Sequence, residues 1–400
     1  MSDQSDFRIV EIANTPYLKH AYPGQVSFFS TLSDAPGVPQ DDGSFVPLAG
    51  IAALWHAVND PATSLVVCRP TFYSPWHWRW LTRILFDRRT LWRLHYYSHC
   101  LGPQLLRRRI PAPLAIWDDA DLPLINRSSF FLMDRCLLYF KRELPPDHWR
   151  VFMKTGHSNL PTARFRKSAR YRARIEKLRP VPLGFPTPAL VPFPDTSTPK
   201  SVDIFFAGSV EGSSSVRMAG LRELSALRDR GFVVEVADKP LDRAEFYRRC
   251  AQALLVWSPE GHGWDCFRHY EVAGCGSVPL INRPTIERYQ PLRDGEHAIY
   301  YDVEPGELMR AAAAALADKS RLESMGQAAR AHCLAHHTAE AISRYVVRTT
   351  LEAASVAFTK VEGRAPERAQ PSGGDDAGVG LAAAVPMDSI SLLPVRRIRR

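Results

Sequence analysis

The spacing of apolar residues is most regular in the second half of the chain. Short apolar runs at 201–207, 232–237 and 253–257 predict strands, and stretches with helical spacing lie between them at 216–230 and about 242–250. The alternation continues through Tyr301 and an alanine-rich helical stretch near 307–316. This rhythm predicts a doubly wound parallel sheet with right-handed crossovers.

The first half is less regular, but two apolar runs, at 64–68 and 113–117, predict strands there as well. A proline-rich stretch then predicts a stiff linker, and the low-complexity end of the chain predicts disorder. The predicted organisation has five parts: an N-terminal domain (1–180), a linker (181–200), a C-terminal domain (201–337), a last helix (338–358) and a disordered tail (359–400).

The segment from Trp257 to Asn282 carries the clearest functional signal. It predicts a strand, a glycine-broken loop, a helix from about Asp265 to Gly274, and a second strand. In an open α/β sheet such a helix begins at the carboxyl end of its strand, where its free N–H groups and positive dipole end face the ligand crevice. A phosphate group is the predicted occupant.

Arg268 and Glu271 lie three residues apart on this helix and therefore share one face. The guanidinium can bind phosphate oxygens and the carboxylate can accept hydrogen bonds from two sugar hydroxyls, which together describe a nucleoside diphosphate. An ordinary surface ion pair is the alternative. Asp265 is expected to be the N-cap of the helix.

A second candidate phosphate loop follows the strand at 201–207. Gly208 and Ser209 begin it, and Arg217 lies on the first turn of the next helix, where it can add charge. Alternatively, the serines at 213–215 serve only as helix caps. His262, Gly263 and Trp264 flank the other loop where a donor sugar or base would lie, although turn geometry alone also explains them.

Three motifs resemble bacterial glycosyltransferases of the GT-B fold with an exostosin-like or group 1 C-terminal domain. They are the segment 258–263 (Ser-Pro-Glu-Gly-His-Gly), the pair Arg268 and Glu271, and the segment 274–281 (Gly-Cys-Gly-Ser-Val-Pro-Leu-Ile). The resemblance implies two Rossmann-like doubly wound domains facing a cleft, with a C-terminal helix returning to the first domain. It also implies that Glu271 lies against the donor ribose and Arg268 near its phosphates.

Glu260 departs from the pattern of the retaining members, which have seven residues between two glutamates, whereas ten separate Glu260 from Glu271 here. Glu260 therefore either contacts the donor sugar or shapes the turn. If transfer inverts the anomeric centre, the candidate bases are Asp119 and Asp121, in an acidic segment that follows a predicted strand. No metal and no separate cofactor are expected, because a helix terminus and cationic side chains can stabilise the departing diphosphate.

Composition adds two constraints. The 400 residues are 45% hydrophobic and 23% charged, as in soluble two-domain proteins, and no long apolar segment or secretion signal is evident, so a cytoplasmic location is expected. The net charge of +9 is concentrated in two basic segments, 76–109 and 164–179, which carry eight Lys or Arg and one acidic residue each. The helical pattern at 76–97 predicts a crossover helix with a solvated basic face or, alternatively, a helix lying on an anionic membrane.

These observations predict an enzyme that moves a hexose-type sugar from a nucleoside diphosphate donor to a glycan, lipid or protein acceptor. A noncatalytic protein that binds sugar nucleotides or glycans, peripheral to the membrane, is the alternative. Nucleic acid is not an expected partner, because the chain shows neither a zinc signature nor an aromatic RNA-binding strand.

Overall fold

The computed structural model shows two α/β domains joined by two chain crossings. It describes residues 7–30, 44–45, 50–70, 102–157, 160–163, 167–186, 192–195, 197–209 and 214–362. The predicted helix at 76–97 and nearly all of the tail lie outside the described residues, so the membrane-surface alternative stays a prediction. Within the described residues, no helix is both long enough and apolar enough to cross a bilayer.

The N-terminal sheet has seven parallel strands in the order β3-β2-β1-β4-β5-β6-β9. The predicted strands at 64–68 and 113–117 are β4 and β5 of this sheet. The strands are β1 (Arg8–Ala13), β2 (Val26–Ser30), β3 (Ser44–Phe45), β4 (Thr63–Cys68), β5 (Leu114–Asp118), β6 (Leu138–Lys141) and β9 (Leu178–Pro180). A separate antiparallel pair, β7 (Lys154–His157) and β8 (Leu160–Ala163), projects from the connection between β6 and β9.

Side chains on opposite faces of this sheet belong to two different hydrophobic clusters. Ile12, Val66 and Ile116 pack on one face, while Leu65 and Phe140 pack on the other. A strand covered on both faces must be apolar on both, which is why these strands read as continuous apolar runs. The covering helices are α1 (Tyr17–Ala21), α2 (Gly50–Asn59), α3 (Phe130–Arg135) and α4 (Ala169–Ile175).

Several basic residues of the segment 164–179 stabilise this domain. Arg174 binds Asp134 with its Nε 2.7 Å from Oδ1, and Arg170 binds the same carboxylate. Lys177 donates to the backbone carbonyls of Met133 and Cys136. These cations hold α4 and the start of β9 against α3, so they are not all free to bind an external anion.

The C-terminal sheet has five parallel strands in the order β11-β10-β12-β13-β14. They are β10 (Val202–Phe206), β11 (Val234–Val236), β12 (Ala253–Trp257), β13 (Val278–Asn282) and β14 (Ile299–Tyr301). The associated helices are α5 (Ser215–Asp229), α6 (Arg243–Gln252), α7 (Phe267–Gly274), α8 (Glu307–Leu316) and α9 (Lys319–His336). Helices cover both faces, and the predicted fold class of two Rossmann-like doubly wound domains is confirmed.

The last helix, α10 (Ala339–Glu362), leaves the C-terminal domain and packs on the N-terminal one. The Ser343 hydroxyl donates to the Tyr17 carbonyl at 3.1 Å, and the Tyr345 hydroxyl donates to the Pro180 carbonyl at 3.0 Å. The backbone N–H of Phe185 donates to the His337 carbonyl at 3.0 Å, so the two chain crossings touch each other. These contacts fix how the two domains face each other.

Candidate active site

The carboxyl ends of the two sheets meet at a cleft. From the N-terminal side, Arg142, which follows β6, donates to the backbone carbonyl of Asp265, which follows β12. The N–H of Leu183 donates to the Asp265 side chain at 2.6 Å. In the C-terminal sheet, the strand order reverses between β10 and β12, and such a switch point opens a crevice at the strand ends. The residues that follow these two strands therefore line the predicted ligand crevice.

A buried arginine lies at this switch point. Arg217, on the first turn of α5, is 7% exposed. Its Nε donates to the Glu260 carbonyl at 3.0 Å, and its Nη1 donates to the Ser209 carbonyl. Ser214 caps α5, because its Oγ accepts from the N–H of Val216 at 3.2 Å. The guanidinium thus connects the loop after β10 with the loop after β12, whereas its predicted role of adding charge for a bound pyrophosphate stays a prediction.

Arg268 reaches the same crevice from α7. Its guanidinium carbon is 5.4 Å from the ring centroid of Phe206, and a Cβ on Gly208 would collide with its Nη2. Glycine at 208 is therefore what lets this side chain cross the end of β10. The Nη1 of Arg268 is buried and has no hydrogen-bond partner among the described residues. A buried donor on a charged group is costly to leave unsatisfied, so this atom is suited to donate to an acceptor oxygen of a ligand.

The two guanidiniums are close enough to perturb each other. The pKa of Arg217 is lowered, first by burial and second by the positive charge of Arg268. In the part of the chain that the structure describes, neither arginine lies within ion-pair distance of a carboxylate. The crevice therefore presents two neighbouring guanidiniums to an anion, with the Glu260 carboxylate as a nearby opposite charge.

The start of α7 is fixed by a buried histidine. His269 Nε2 is 2.9 Å from the Trp264 carbonyl and must donate to it, so Nδ1 accepts from the Ser258 hydroxyl at 2.8 Å. Burial lowers the pKa of His269 to about 4, which keeps this neutral form. The N-cap of α7 is Cys266, whose side chain does not cap the helix, and the His269 N–H donates to the Cys266 carbonyl at 3.1 Å. The positive dipole end of α7 is therefore not offset by a side chain of its N-cap residue.

Two predictions for the helix are corrected. Asp265 is not its N-cap, because α7 begins at Phe267 and the Asp265 carboxylate accepts from Leu183 N–H and from the Tyr270 hydroxyl at 2.6 Å. The Trp264 ring is buried, and its indole N–H donates to the Asn282 carbonyl at 2.9 Å, so it packs in the domain instead of facing a sugar or base. His262 is exposed beside it.

Glu260 shapes the turn after β12. Its carboxylate accepts from the Ser214 hydroxyl at 3.1 Å and from the Asn282 side-chain amide at 3.0 Å. The Asn282 side-chain oxygen accepts from the Glu260 N–H at 2.9 Å, which closes a two-point contact. Of the two predicted roles for Glu260, the structure contains the turn-shaping one, and the sugar contact stays a prediction.

Glu271 does not pair with Arg268, so the surface ion-pair alternative is wrong. Its carboxylate accepts from the Tyr247 hydroxyl at 3.1 Å and lies 3.8 Å from Arg243 Nε. The side chain is 12% exposed, and burial raises its pKa. Arg268 therefore turns toward β10 and Glu271 toward α6, on either side of the α7 start.

The acidic residues at the end of β5 and just after it have three different environments. Asp118, the last residue of β5, is buried and binds the Tyr139 hydroxyl and Lys141 Nζ, so it does not face the cleft. Asp119 forms an ion pair with Arg69 and is 10% exposed. Asp121 is 52% exposed, and although it binds Arg142, it adjoins the C-terminal domain. A Cβ on Gly263 would lie 3.1 Å from the Asp121 carbonyl.

Three residues of the site carried no predicted role. Arg142 and Glu143 reach across the cleft, and Asn282 holds Glu260. The sequence contains only a weak signal for these roles. Arg142 and Glu143 come directly after the buried strand at 138–141, and Asn282 is a polar residue at the end of the strand at 278–282. Their partners lie in distant parts of the sequence, so the roles depend on the fold.

Comparisons with known proteins agree with the site. Residues 230–348 match the model of a protein family described as glycosyl transferase-like. This range includes the loop after β12, all of α7 and both strands that flank them. No curated protein matches the sequence significantly.

Several solved structures have a similar course of the chain. Sucrose-phosphate synthase from Thermosynechococcus elongatus is 10% identical, with 89% of this chain and 100% of that one covered, at a TM-score of 0.48. HepE from Anabaena, in complex with UDP and glucose, is 12% identical. The match covers 86% of this chain and 100% of that one, at a TM-score of 0.47. An alpha-glucosyltransferase in complex with UDP and a 13-mer DNA is 10% identical. The match covers 83% of this chain and 96% of that one, at a TM-score of 0.48.

At these scores the fold assignment rests on the two parallel sheets of the chain itself, and the similarity to glycosyltransferases rests on the match at 230–348. The resemblance indicated by the sequence motifs is confirmed: over these residues the chain is similar to glycosyltransferases, on a fold of two facing Rossmann-like domains.

Proposed function

We propose that this protein transfers a sugar, of the hexose type, from a nucleoside diphosphate donor to an acceptor hydroxyl on a glycan, lipid or protein. The observation that carries the proposal is the pair of guanidiniums, Arg217 and Arg268, at the switch point between β10 and β12, with a buried Arg268 donor that has no partner among the described residues. A diphosphate supplies negative charge and acceptor oxygens for these donors.

The same two cations would serve the chemistry. Cleavage of the bond between the sugar and the diphosphate leaves additional negative charge on the diphosphate oxygens. Arg217 and Arg268, together with the uncapped start of α7, can stabilise that charge without moving, since they are already fixed by the fold. Because these groups supply the positive charge, the proposed transfer is independent of metal. The acidic residues after β5 already bind Arg69, Lys141 and Arg142, which makes them poor ligands for a divalent ion.

Two carboxylates complete the proposal. Glu271 contacts the donor ribose, since one edge of its carboxylate is exposed beside α7. Asp121 is the better placed of the two candidate bases, because it adjoins Gly263 across the cleft, whereas Asp119 is paired with Arg69 inside the N-terminal domain. Closure of the cleft around the donor would then bring an acceptor held by the N-terminal domain to the sugar.

Calorimetric titration with UDP, GDP, ADP and the matching nucleosides tests the donor site. Arg268→Ala should weaken a bound diphosphate by about 2 kcal/mol, or roughly 30-fold, and leave the nucleoside unchanged, because a charged hydrogen bond is lost. Glu271→Ala should weaken diphosphate and nucleoside equally. Arg310→Ala, at an exposed ion pair on α8, is the matched control. Absence of binding by the wild type to any of these nucleotides would reject the proposal.

Turnover distinguishes an enzyme from a sugar-nucleotide-binding protein. We expect slow release of free sugar from the donor that binds best, and Asp121→Asn should reduce transfer to an acceptor by about 100-fold without weakening donor binding, as removal of a general base does. Donor binding without release or transfer would favour the noncatalytic alternative.

A further inference from the structure

Glu143 of the N-terminal domain binds the backbone of the C-terminal domain. It follows β6, is 4% exposed, and its two carboxylate oxygens accept hydrogen bonds from consecutive N–H groups. Oε2 accepts from Trp264 at 3.0 Å and Oε1 from Asp265 at 2.9 Å. A single side chain of one domain therefore fixes the peptide groups that lead into α7 of the other.

The loop held in this way is the loop that orients the proposed phosphate-binding arginine. At its start, the Glu260 carbonyl accepts from Arg217, and a Cβ on Gly261 would lie 3.0 Å from Arg217 Nη2. Near its end, a Cβ on Gly263 would lie 2.5 Å from Glu143 Oε1. The five residues 261–265 thus lie between the Arg217 guanidinium of the C-terminal domain and the Glu143 carboxylate of the N-terminal domain. Glycine at 263 permits the close approach of the carboxylate to the loop.

The chemistry of this contact is specific to a carboxylate. Two parallel N–H donors need two acceptor oxygens side by side, and an ionised carboxylate provides them. Glutamine offers one oxygen and one NH2 group, so one of the two loop N–H groups would face another donor. Aspartate has the correct end group but is one methylene shorter.

We propose that Glu143 is a positioning residue for the donor site: it holds loop 261–265 so that Arg217 and Arg268 are oriented to receive the diphosphate. The inference rests on the proposed function, but it adds a residue from the opposite domain that contacts neither donor nor acceptor. It also explains how the approach of the two domains prepares the donor site, because the contact forms only when β6 and α7 face each other.

The charges around Glu143 make the contact sensitive to pH. Burial is the main cause that raises the pKa of Glu143 to about 7. Arg142, with its Nε 3.7 Å from Oε1, and the two loop N–H groups oppose the rise, and the charge of Asp265 adds to it. Arg142 in turn binds Asp121. Since only the ionised carboxylate accepts both N–H groups fully, donor binding should weaken as the pH falls through 7.

Calorimetric titration of UDP and GDP at pH 6, 7 and 8 tests the proposal on the full chain. For Glu143→Gln we expect at least tenfold weaker binding at pH 8 and loss of the wild-type dependence on pH. Glu287→Gln is the matched control, because Glu287 also lies at the domain interface, 3.1 Å from His148, and does not contact the loop. It should bind within twofold of the wild type and keep the pH dependence.

Gly263→Ala provides an independent route to the same contact. The added methyl group should displace the Glu143 carboxylate, while the charges of Arg217 and Arg268 remain. Thermal melting checks that each variant is folded. The double variant Glu143→Gln with Gly263→Ala should bind no more weakly than the poorer single variant, because both changes break one interaction.

The inference is overturned if Glu143→Gln binds like the wild type, or if Glu287→Gln weakens binding equally, which would indicate general domain docking. These results are distinguishable from failure of the proposed function. If the proposed function fails, the wild type itself binds neither nucleotide, or Arg268→Ala leaves nucleotide affinity unchanged.

Discussion

The two domains have the same kind of strand-order reversal, yet their crevices differ in charge. In the N-terminal sheet, the switch point lies between β1 and β4. Arg69, which follows β4, pairs there with Asp119 and donates to Asn14. At the switch point of the C-terminal sheet, Arg217 and Arg268 have no carboxylate partner among the described residues.

This difference separates a crevice whose arginine has a carboxylate partner from one whose arginines have none within ion-pair distance among the described residues. In the N-terminal crevice, Tyr17 also stacks on Trp117 with ring centroids 5.0 Å apart, so aromatic rings line the space beside the ion pair. In the C-terminal crevice, burial and then the positive charge of Arg268 lower the pKa of Arg217. A topological switch point alone therefore does not identify a binding site, whereas the local balance of charge does.

The largest expected effect is on stability, from Arg69→Met. The variant leaves Asp119 buried without its partner, and such a loss costs about 3 kcal/mol of unfolding free energy. Burial already raises the pKa of Asp119, and Arg69 lowers it. The loss should consequently shrink at low pH, where a protonated Asp119 needs no partner. Urea unfolding at pH 8 and pH 5 measures both effects, and an equal loss at the two pH values would contradict this account.

An effect that depends on pH is expected for Glu11, which lines the same crevice as Arg69 and Asp119. Its carboxyl group accepts from the Leu18 N–H at 3.1 Å, and burial raises its pKa to about 8 from 4.5. Between these values the folded state binds a proton that the unfolded state has released. The unfolding free energy therefore falls as pH rises through this window, by up to about 1.4 kcal/mol per pH unit.

Glu11→Gln removes that titration and keeps an acceptor for Leu18. The stability of the variant should thus decline less steeply between pH 5 and pH 8 than that of the wild type, as measured by urea unfolding across this range. The difference between the two curves isolates Glu11, because the other titrating groups are common to both proteins. Parallel curves would show that Glu11 titrates normally.

The sequence predicted β4 of the N-terminal crevice and both β10 and β12 of the C-terminal one, but it predicted neither β1 nor the contacts across the cleft. Runs such as 253–257 are apolar because both faces of the sheet are covered, and that requirement is local enough to be recognised. The Asp265 side chain binds Leu183, which is 82 residues away, and that long-range contact overrides its expected capping role. Likewise, the spacing of Arg268 and Glu271 placed them on one helix, but their directions are set by Gly208, which follows β10, and by Tyr247 on α6.

The smallest expected change in unfolding free energy, that of Arg268→Met, tests the contrast between the two crevices most directly. Arg268→Met keeps an apolar stem against Phe206 and removes one of the two like charges. The lost contact between the cation and the ring and the relieved repulsion from Arg217 nearly cancel, so the unfolding free energy should change by less than about 0.5 kcal/mol. Removal of an arginine from the N-terminal crevice is costly, as argued for Arg69, because that arginine has a buried partner.

The same variant should lose the stabilisation that a ligand provides. A saturating nucleoside diphosphate raises the unfolding free energy of the wild type by about 2.7 kcal/mol at a hundred times its dissociation constant, and the gain should largely disappear in Arg268→Met. Urea unfolding with and without UDP or GDP measures both quantities in one experiment. A loss of 2 kcal/mol or more in the free variant would mean that Arg268 is a structural cation like Arg69, and that the contrast between the two crevices does not hold.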